Sequence, residues 1–411
     1  MNTAKYYSGL FIKPLYILAL VDTINGFFLN KGVEVLLGIL FKAFILLITI
    51  RIIIAFPKFR GLLFFTMAYI SVFLLLIILN TNSEIGPTIT HLLKFVNVVF
   101  VYYSAVVILK SIVVVRGDIR AIFYFNSIIL LLNIYGGLLG IGYYAYGESL
   151  GYKGFIYAHN EMSGMMAILF GVSYFFIYNT YTSKRIVVFI VNILFLIAAL
   201  LVSSKAGILL VLISLILVPL VHLQYSIFYS FLKMSKIRLV LFLSVLGVVA
   251  YYGYLLLDYN GAIDRWTYFF EKDGVNALYS SRDTFWEEEK VEWEEGNIGI
   301  KLFGMGGSRT VEMDQADTLL NYGIIGVIIV YSFYFSLVIK AFRYRKKNKY
   351  AKFVFGMDIS ILAASCFAGH LLFSGLMGIP FALMNAMLFS PEMKTADKVN
   401  CRLYNCKNSF S

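Results

Sequence analysis

The stretch Leu302–Gly326, LFGMGGSRTVEMDQADTLLNYGIIG, sets a glycine-rich turn, an arginine and three carboxylates against the start of a long apolar run. From 315 to 339 that run is long enough to cross a bilayer core, which takes about 20 residues as a helix. The question for the fold is how often such runs recur. Elsewhere along the chain they fall at 9–25, 33–54, 61–79, 89–109, 119–142, 162–180, 186–202, 206–222, 238–257, 353–371 and 374–390.

Composition agrees. Of 411 residues 60% are hydrophobic and only 14% charged, whereas soluble domains carry about 25% charged residues. The expectation is an all-α polytopic membrane protein with about twelve transmembrane helices, ten to twelve being compatible with the pattern. Residues 1–411 read as a single membrane domain without internal repeats. The first apolar run lacks a small-residue cleavage site and leads on to Asp22, so no cleaved signal peptide is expected.

A formal charge of +12 would suggest nucleic acid in a soluble chain, but in a membrane protein its distribution reports topology. Alternate loops and the two ends hold 24 of the 35 basic residues, seven of them between Lys340 and Lys352. By the positive-inside rule both termini are expected in the cytoplasm. The one long loop, 258–314, then faces outward. It carries 13 acidic and 6 basic residues and is too long for a simple connector, so short helices are expected in it. One covers Thr284–Glu295, with Trp286 and Trp293 on one face, either packed on the loop or offering a platform for sugars.

Candidate chemistry collects on that same side. Glu312, Asp314 and Asp317 precede the tenth span; Asp314 and Asp317 share the first helical turn, where capping is a competing role. The cations Lys205, Arg265, Arg282 and Arg309 could neutralise a phosphate, arginine through its planar fork. Gly304, Gly306 and Gly307 allow either a plain turn or close approach of backbone amides to an anion. His159, Asn160 and Glu161 open the sixth span and His370 lies near the end of the eleventh, each histidine being either a hydrogen-bonded structural residue or a ligand-binding one. Inside spans lie Asp22, Lys42, Lys94 and Asp358, whose cost implies pairing or function. Cys366, Cys401 and Cys406 have neither redox nor zinc spacing, so no metal is expected.

Taken in order, Gly154 to Asn160, the SSKAG of 203–207, Arg282 with Trp286, and the glycines, acids and LLNYGIIG of 304–326 resemble the O-antigen polymerase and ligase family of bacterial membrane glycosyltransferases. Within it the chain is most similar to Wzy-type repeat-unit polymerases for capsule or exopolysaccharide. The resemblance covers about 150–375 and implies a GT-C-like helical architecture in the bacterial plasma (inner) membrane, with inverting, metal-independent transfer and no cofactor. The implied donor and acceptor are polyprenyl-diphosphate-linked oligosaccharides, with membrane lipid, a flippase and a chain-length regulator as partners and no nucleic acid.

Asp317, Glu312 or Asp314 would then be the general base. Arg282, with Arg265, Arg309 or Lys205, would neutralise the diphosphate, and His370 would bind sugar or phosphate. Lys205 stands where many members have arginine, so it would act as a point charge rather than a fork. Glu312 stands where a ligase-like member would have histidine, which argues for a polymerase. The alternatives are a polysaccharide ligase and, from another class, a flippase for lipid-linked oligosaccharide.

Overall fold

The computed structural model describes residues 2–79, 85–111, 116–146, 150–181, 184–222, 247, 251–259, 261–273, 282–306, 310–346 and 348–390. The helices are α1 (Asn2–Leu15), α2 (Leu18–Asn30), α3 (Leu37–Ala55), α4 (Arg60–Leu79), α5 (Ile85–Ser111), α6 (Arg116–Tyr135), α7 (His159–Tyr181), α8 (Arg185–Val202) and α9 (Lys205–His222). After them come α10 (Ala262–Asp273), α11 (Arg282–Glu295), α12 (Ile298–Phe303), α13 (Asp314–Tyr344), α14 (Lys349–Ser365) and α15 (Gly378–Ala386). The protein is thus mainly helical. A small hairpin, β1 (Tyr143–Tyr146) and β2 (Leu150–Gly154), departs from the all-α expectation; Tyr144 pairs with Tyr152 across it.

Among the described residues seven helices are long and apolar enough to cross a membrane: α3, α5, α6, α7, α8, α9 and α13. The pair α1–α2, bent by 45°, makes an eighth if it is one span. Helix α4 forms where the span 61–79 is expected, and the expected span 238–257 lies mostly outside the described residues.

Helix α7 sits at the centre, with every residue from Glu161 to Phe176 buried. Small residues let its neighbours come close: a Cβ at Gly171 would lie 2.9 Å from Ser214 of α9. On its other sides Ser173 bonds Ser127 of α6 at 2.9 Å, and Phe170 stacks on Phe195 of α8 at 4.2 Å. Outward faces stay apolar, with Ile186, Phe189 and Ile190 of α8 and Ile328 and Phe335 of α13 exposed, as a lipid-facing surface requires.

Three interruptions shape the bundle, and each has its hydrogen bonds made good. Pro14 removes a helical donor near the end of α1. There Asn126 of α6 accepts the N–H of Ala19 at 2.7 Å and donates to the carbonyl of Leu15 at 2.8 Å. Helix α13 breaks at Gly323, whose φ of 63° and ψ of −169° are open essentially to glycine alone. The end of α12 fills that notch, and Met305 N–H reaches the carbonyl of Leu320 at 2.8 Å.

The third interruption corrects the reading of 353–371 and 374–390 as two full spans. Helix α14 stops at Ser365, and 366–377 run without regular helix, most of them buried, before the nine-residue α15. Irregular backbone inside a membrane protein needs partners from the protein itself. Asp314 of α13 supplies three, accepting from the N–H groups of His370, Leu371 and Leu372 at 2.7, 3.0 and 2.8 Å. Glu161 of α7 accepts from Leu376 N–H and from the Ser374 hydroxyl at 3.1 and 3.0 Å. Of the charges inside spans, Lys42 pairs with Asp22 and Lys94 with Glu161, both at 2.8 Å, while Asp358 takes a hydrogen bond from Asn385 at 2.9 Å.

Candidate functional site

A cavity of about 530 Å³ opens at the end of the bundle where α7, α9 and α13 begin. Six of the residues singled out in the sequence line it: His159, Asn160, Lys205, Arg282, Glu312 and His370. They come from five separate stretches, so their meeting is a property of the fold.

Each arrives by a local device. In SSKAG, Ser203 closes α8 in a left-handed conformation, and the Ser204 hydroxyl takes the N–H of Gly207 at 2.9 Å. That same hydroxyl meets Ser163 of α7 at 2.6 Å. The two serines therefore turn the chain and fasten α9 to α7, which leaves Lys205 at the cavity wall with its ammonium 5.9 Å from the Phe270 ring centre.

Arg282 opens α11, donates to the carbonyl of Phe367 at 2.5 Å and pairs with Glu312 at 2.9 Å. The pair is asymmetric: the Arg282 side chain is 14% exposed, that of Glu312 47%. Both line the cavity, and the carboxylate is the more exposed of the two, held in place by the arginine.

Asp314 and Asp317 do not line the cavity. Asp314 is buried, and its carboxylate is given over to the turn at His370–Leu372; Met313, not Asp314, takes the N-cap position of α13. Asp317 is also buried and accepts the N–H of Val311 at 2.6 Å. The two acids thus hold the backbone on either side of the site, one beside Glu312 and the other at His370. The two segments touch: a Cβ on Gly369 would lie 2.5 Å from the Glu312 carbonyl carbon.

Among the described residues the non-glycine positions with positive φ are Ser203 (58°), Glu312 (58°) and His370 (63°), and all three line this cavity. Such conformations cost about 1–3 kcal/mol each and gather where function requires them. Beyond the helical spans, burial pushes His370 below the ordinary histidine range, while Glu161 and Glu312 raise it and Lys94 and Arg282 lower it. A neutral imidazole there can both donate and accept a hydrogen bond.

Gly304 packs against the break in α13, where its Cβ would lie 2.3 Å from Asn321. Its role is close approach of backbone to backbone, and neither it nor Gly306 lines the cavity. Arg309 and Gly307 lie outside the described residues, as does the Arg265 side chain. Trp286 and Trp293 pack on Met305, Val311, Ala316 and Leu320, the packing role of the two alternatives. Sequence patterns did not single out Trp266, which lines the cavity from α10. Glu161, noted beside His159 but given no role, lines it too. No known family model matches the chain, and no curated protein or solved structure matches it.

Proposed function

We propose that this protein is a membrane glycosyltransferase, a polymerase that joins polyprenyl-diphosphate-linked oligosaccharide repeat units on the outer face of a bacterial plasma membrane. The observation that carries the reading is the exposed Glu312 carboxylate, backed by Arg282, in a cavity that also gathers Lys205, His159, Asn160 and His370. Its motifs are those of the O-antigen polymerase and ligase resemblance, and a GT-C-like architecture is part of the same proposal.

In this reading Glu312 is the general base. It takes the proton from a sugar hydroxyl of the acceptor as that oxygen bonds to the anomeric carbon of the donor, and the bond to the diphosphate breaks on the opposite face with inversion. A positioned base is worth about 10²–10⁴-fold. Lys205 offsets charge developing on the leaving diphosphate, and His370 and Asn160 orient sugar hydroxyls. Arg282 spends hydrogen bonds on Glu312 and Phe367, so it positions the base more than it grips phosphate.

The test is Glu312→Gln in the native host with analysis of lipid-linked glycans. The expected result is single repeat units accumulating outside; long chains left on lipid would indicate a ligase, and normal chain lengths would overturn the assignment. A second reading, a flippase for the same lipid-linked units, is favoured by the break at Gly323 and the ion pairs inside the bundle. Units trapped on the inner face would support it.

A further inference from the structure

A second cavity, of about 340 Å³, lies between α2, α3 and α5 and shares one wall with the first: Ala158 and Glu161 line both. Its charged part consists of the two ion pairs, Asp22–Lys42 and Glu161–Lys94, with Asn25, Thr90, Asn97 and Ser374 as uncharged polar neighbours. Two ion pairs inside the bundle are expensive unless they serve a purpose. Their exposure indicates which one. The Lys42 and Lys94 side chains are 23% and 30% exposed, their carboxylate partners only 4% and 9%. The polarity is the reverse of the Arg282–Glu312 pair, for here the cations face the opening and the acids stand behind.

Each ammonium donates one of its three hydrogens to its carboxylate, and no second protein acceptor is found for either among the described residues. Glu161 keeps Ser374 and Leu376 as donors besides Lys94, so Lys94 can turn toward a ligand without leaving that carboxylate bare. Gly375 brings the two pairs together, since a Cβ on it would lie 3.3 Å from the Lys42 ammonium and 3.6 Å from a Glu161 oxygen.

Most of the rest of the wall is apolar, and part of it lies deeper. Lys42 stands roughly 8 Å inside the start of α3 and Lys94 roughly 14 Å inside the start of α5 at 1.5 Å per residue, and Ala43, Leu46, Val98 and Ile379 continue inward from them. Ile39 and Leu93 line the cavity and are also exposed, so it meets the apolar outer surface of the bundle. A cationic shelf at that depth, continued by an apolar wall open to the lipid side, matches a molecule with phosphate oxygens at one end and a hydrocarbon chain at the other.

We infer that the cavity of Lys42 and Lys94 binds a lipid phosphate, its headgroup oxygens on the two ammonium groups and its chain along Ala43, Leu46, Val98 and Ile379. The site stands whichever reaction the first cavity performs. Its assignment as the seat of a lipid-linked diphosphate substrate, with the sugar passing Glu161 toward Glu312, rests on the polymerase reading.

The test uses the full chain in nanodiscs and measures binding of a polyprenyl diphosphate, of phosphatidylglycerol and of inorganic pyrophosphate. Lys42→Gln and Lys94→Gln are each expected to weaken polyprenyl diphosphate binding about tenfold, the worth of one charge-assisted hydrogen bond. The exposed Lys58→Gln should not change it. Ala43→Trp fills the apolar wall and leaves both ion pairs intact, so it should weaken the lipid and not pyrophosphate. It also separates lost binding from lost folding. Displacement by phosphatidylglycerol at equal mole fraction would make a bulk membrane lipid the occupant; selectivity for the diphosphate would make it the substrate. The inference is overturned if all three cavity variants bind both lipids as the unaltered protein does. Because this readout is binding, it can succeed where Glu312→Gln fails to alter chain length, and the reverse.

Discussion

Asp314 illustrates how far one carboxylate can organise a site it does not enter. It accepts three consecutive backbone N–H groups of the turn that carries His370, and its burial leaves no water to replace it. Asparagine in its place would offer one oxygen for three donors and turn an amide N–H against the rest. The cost is about 1–3 kcal/mol for each amide left without an acceptor. Asp314→Asn should therefore lower the midpoint of thermal unfolding in detergent together with activity, whereas Glu312→Gln should lower activity with the midpoint nearly unchanged. If Asp314→Asn were as stable as the unaltered protein and inactive, Asp314 would belong to the chemistry and the roles given to the two acids would be exchanged.

At the scale of elements, the break in α13 makes a similar demand. A Cβ at Gly323 would lie 2.5 Å from the Gly304 nitrogen and the Leu302 carbonyl, in a backbone region that side chains avoid. Gly323→Ala should cost at least about 1–3 kcal/mol. By pushing α12 out of the notch it should also loosen the Glu312 segment, lowering turnover more than alanine at the neighbouring Gly326 would if the notch were only a packing contact. Gly304 and Gly323 both stand in the opening stretch, yet their contact was not legible there. Periodicity reports which residues share a face, not which turn fills which notch, so Gly304 reads equally as a plain turn or as a backbone approach to an anion. Apolar runs were legible because crossing a bilayer sets their length, as in α7 and α8. The run after Ser365 misled for the same reason: hydropathy counts Leu371 as span, while its backbone N–H goes to an acid more than fifty residues away. The cavity itself was legible as a set of polar residues at span ends on one side. That Glu312, and not Asp317, faces into it depends on burial, which no spacing records.

For the whole molecule the open quantity is orientation, because the two cavities face a substrate only if they lie on the side where it is delivered. Beyond its break at Gly323, helix α13 runs on to Tyr344, roughly 31 Å at 1.5 Å per residue and enough for the ~30 Å hydrocarbon core. Its start, beside Glu312, and its end, at Tyr344, therefore belong to opposite sides if it spans. The end leads into the basic run of 340–352, which the positive-inside rule assigns to the cytoplasm. With the three native cysteines replaced, a cysteine at Glu288, exposed on α11, should react with a membrane-impermeant maleimide in intact cells. One at Lys346, exposed beyond α13, should react only after permeabilisation. The opposite pattern would leave every distance in the two cavities as it is and place Glu312 in the cytoplasm. There it would meet lipid-linked units before export, and polymerisation on the outer face would have to be abandoned while the lipid-phosphate site between α3 and α5 would stand.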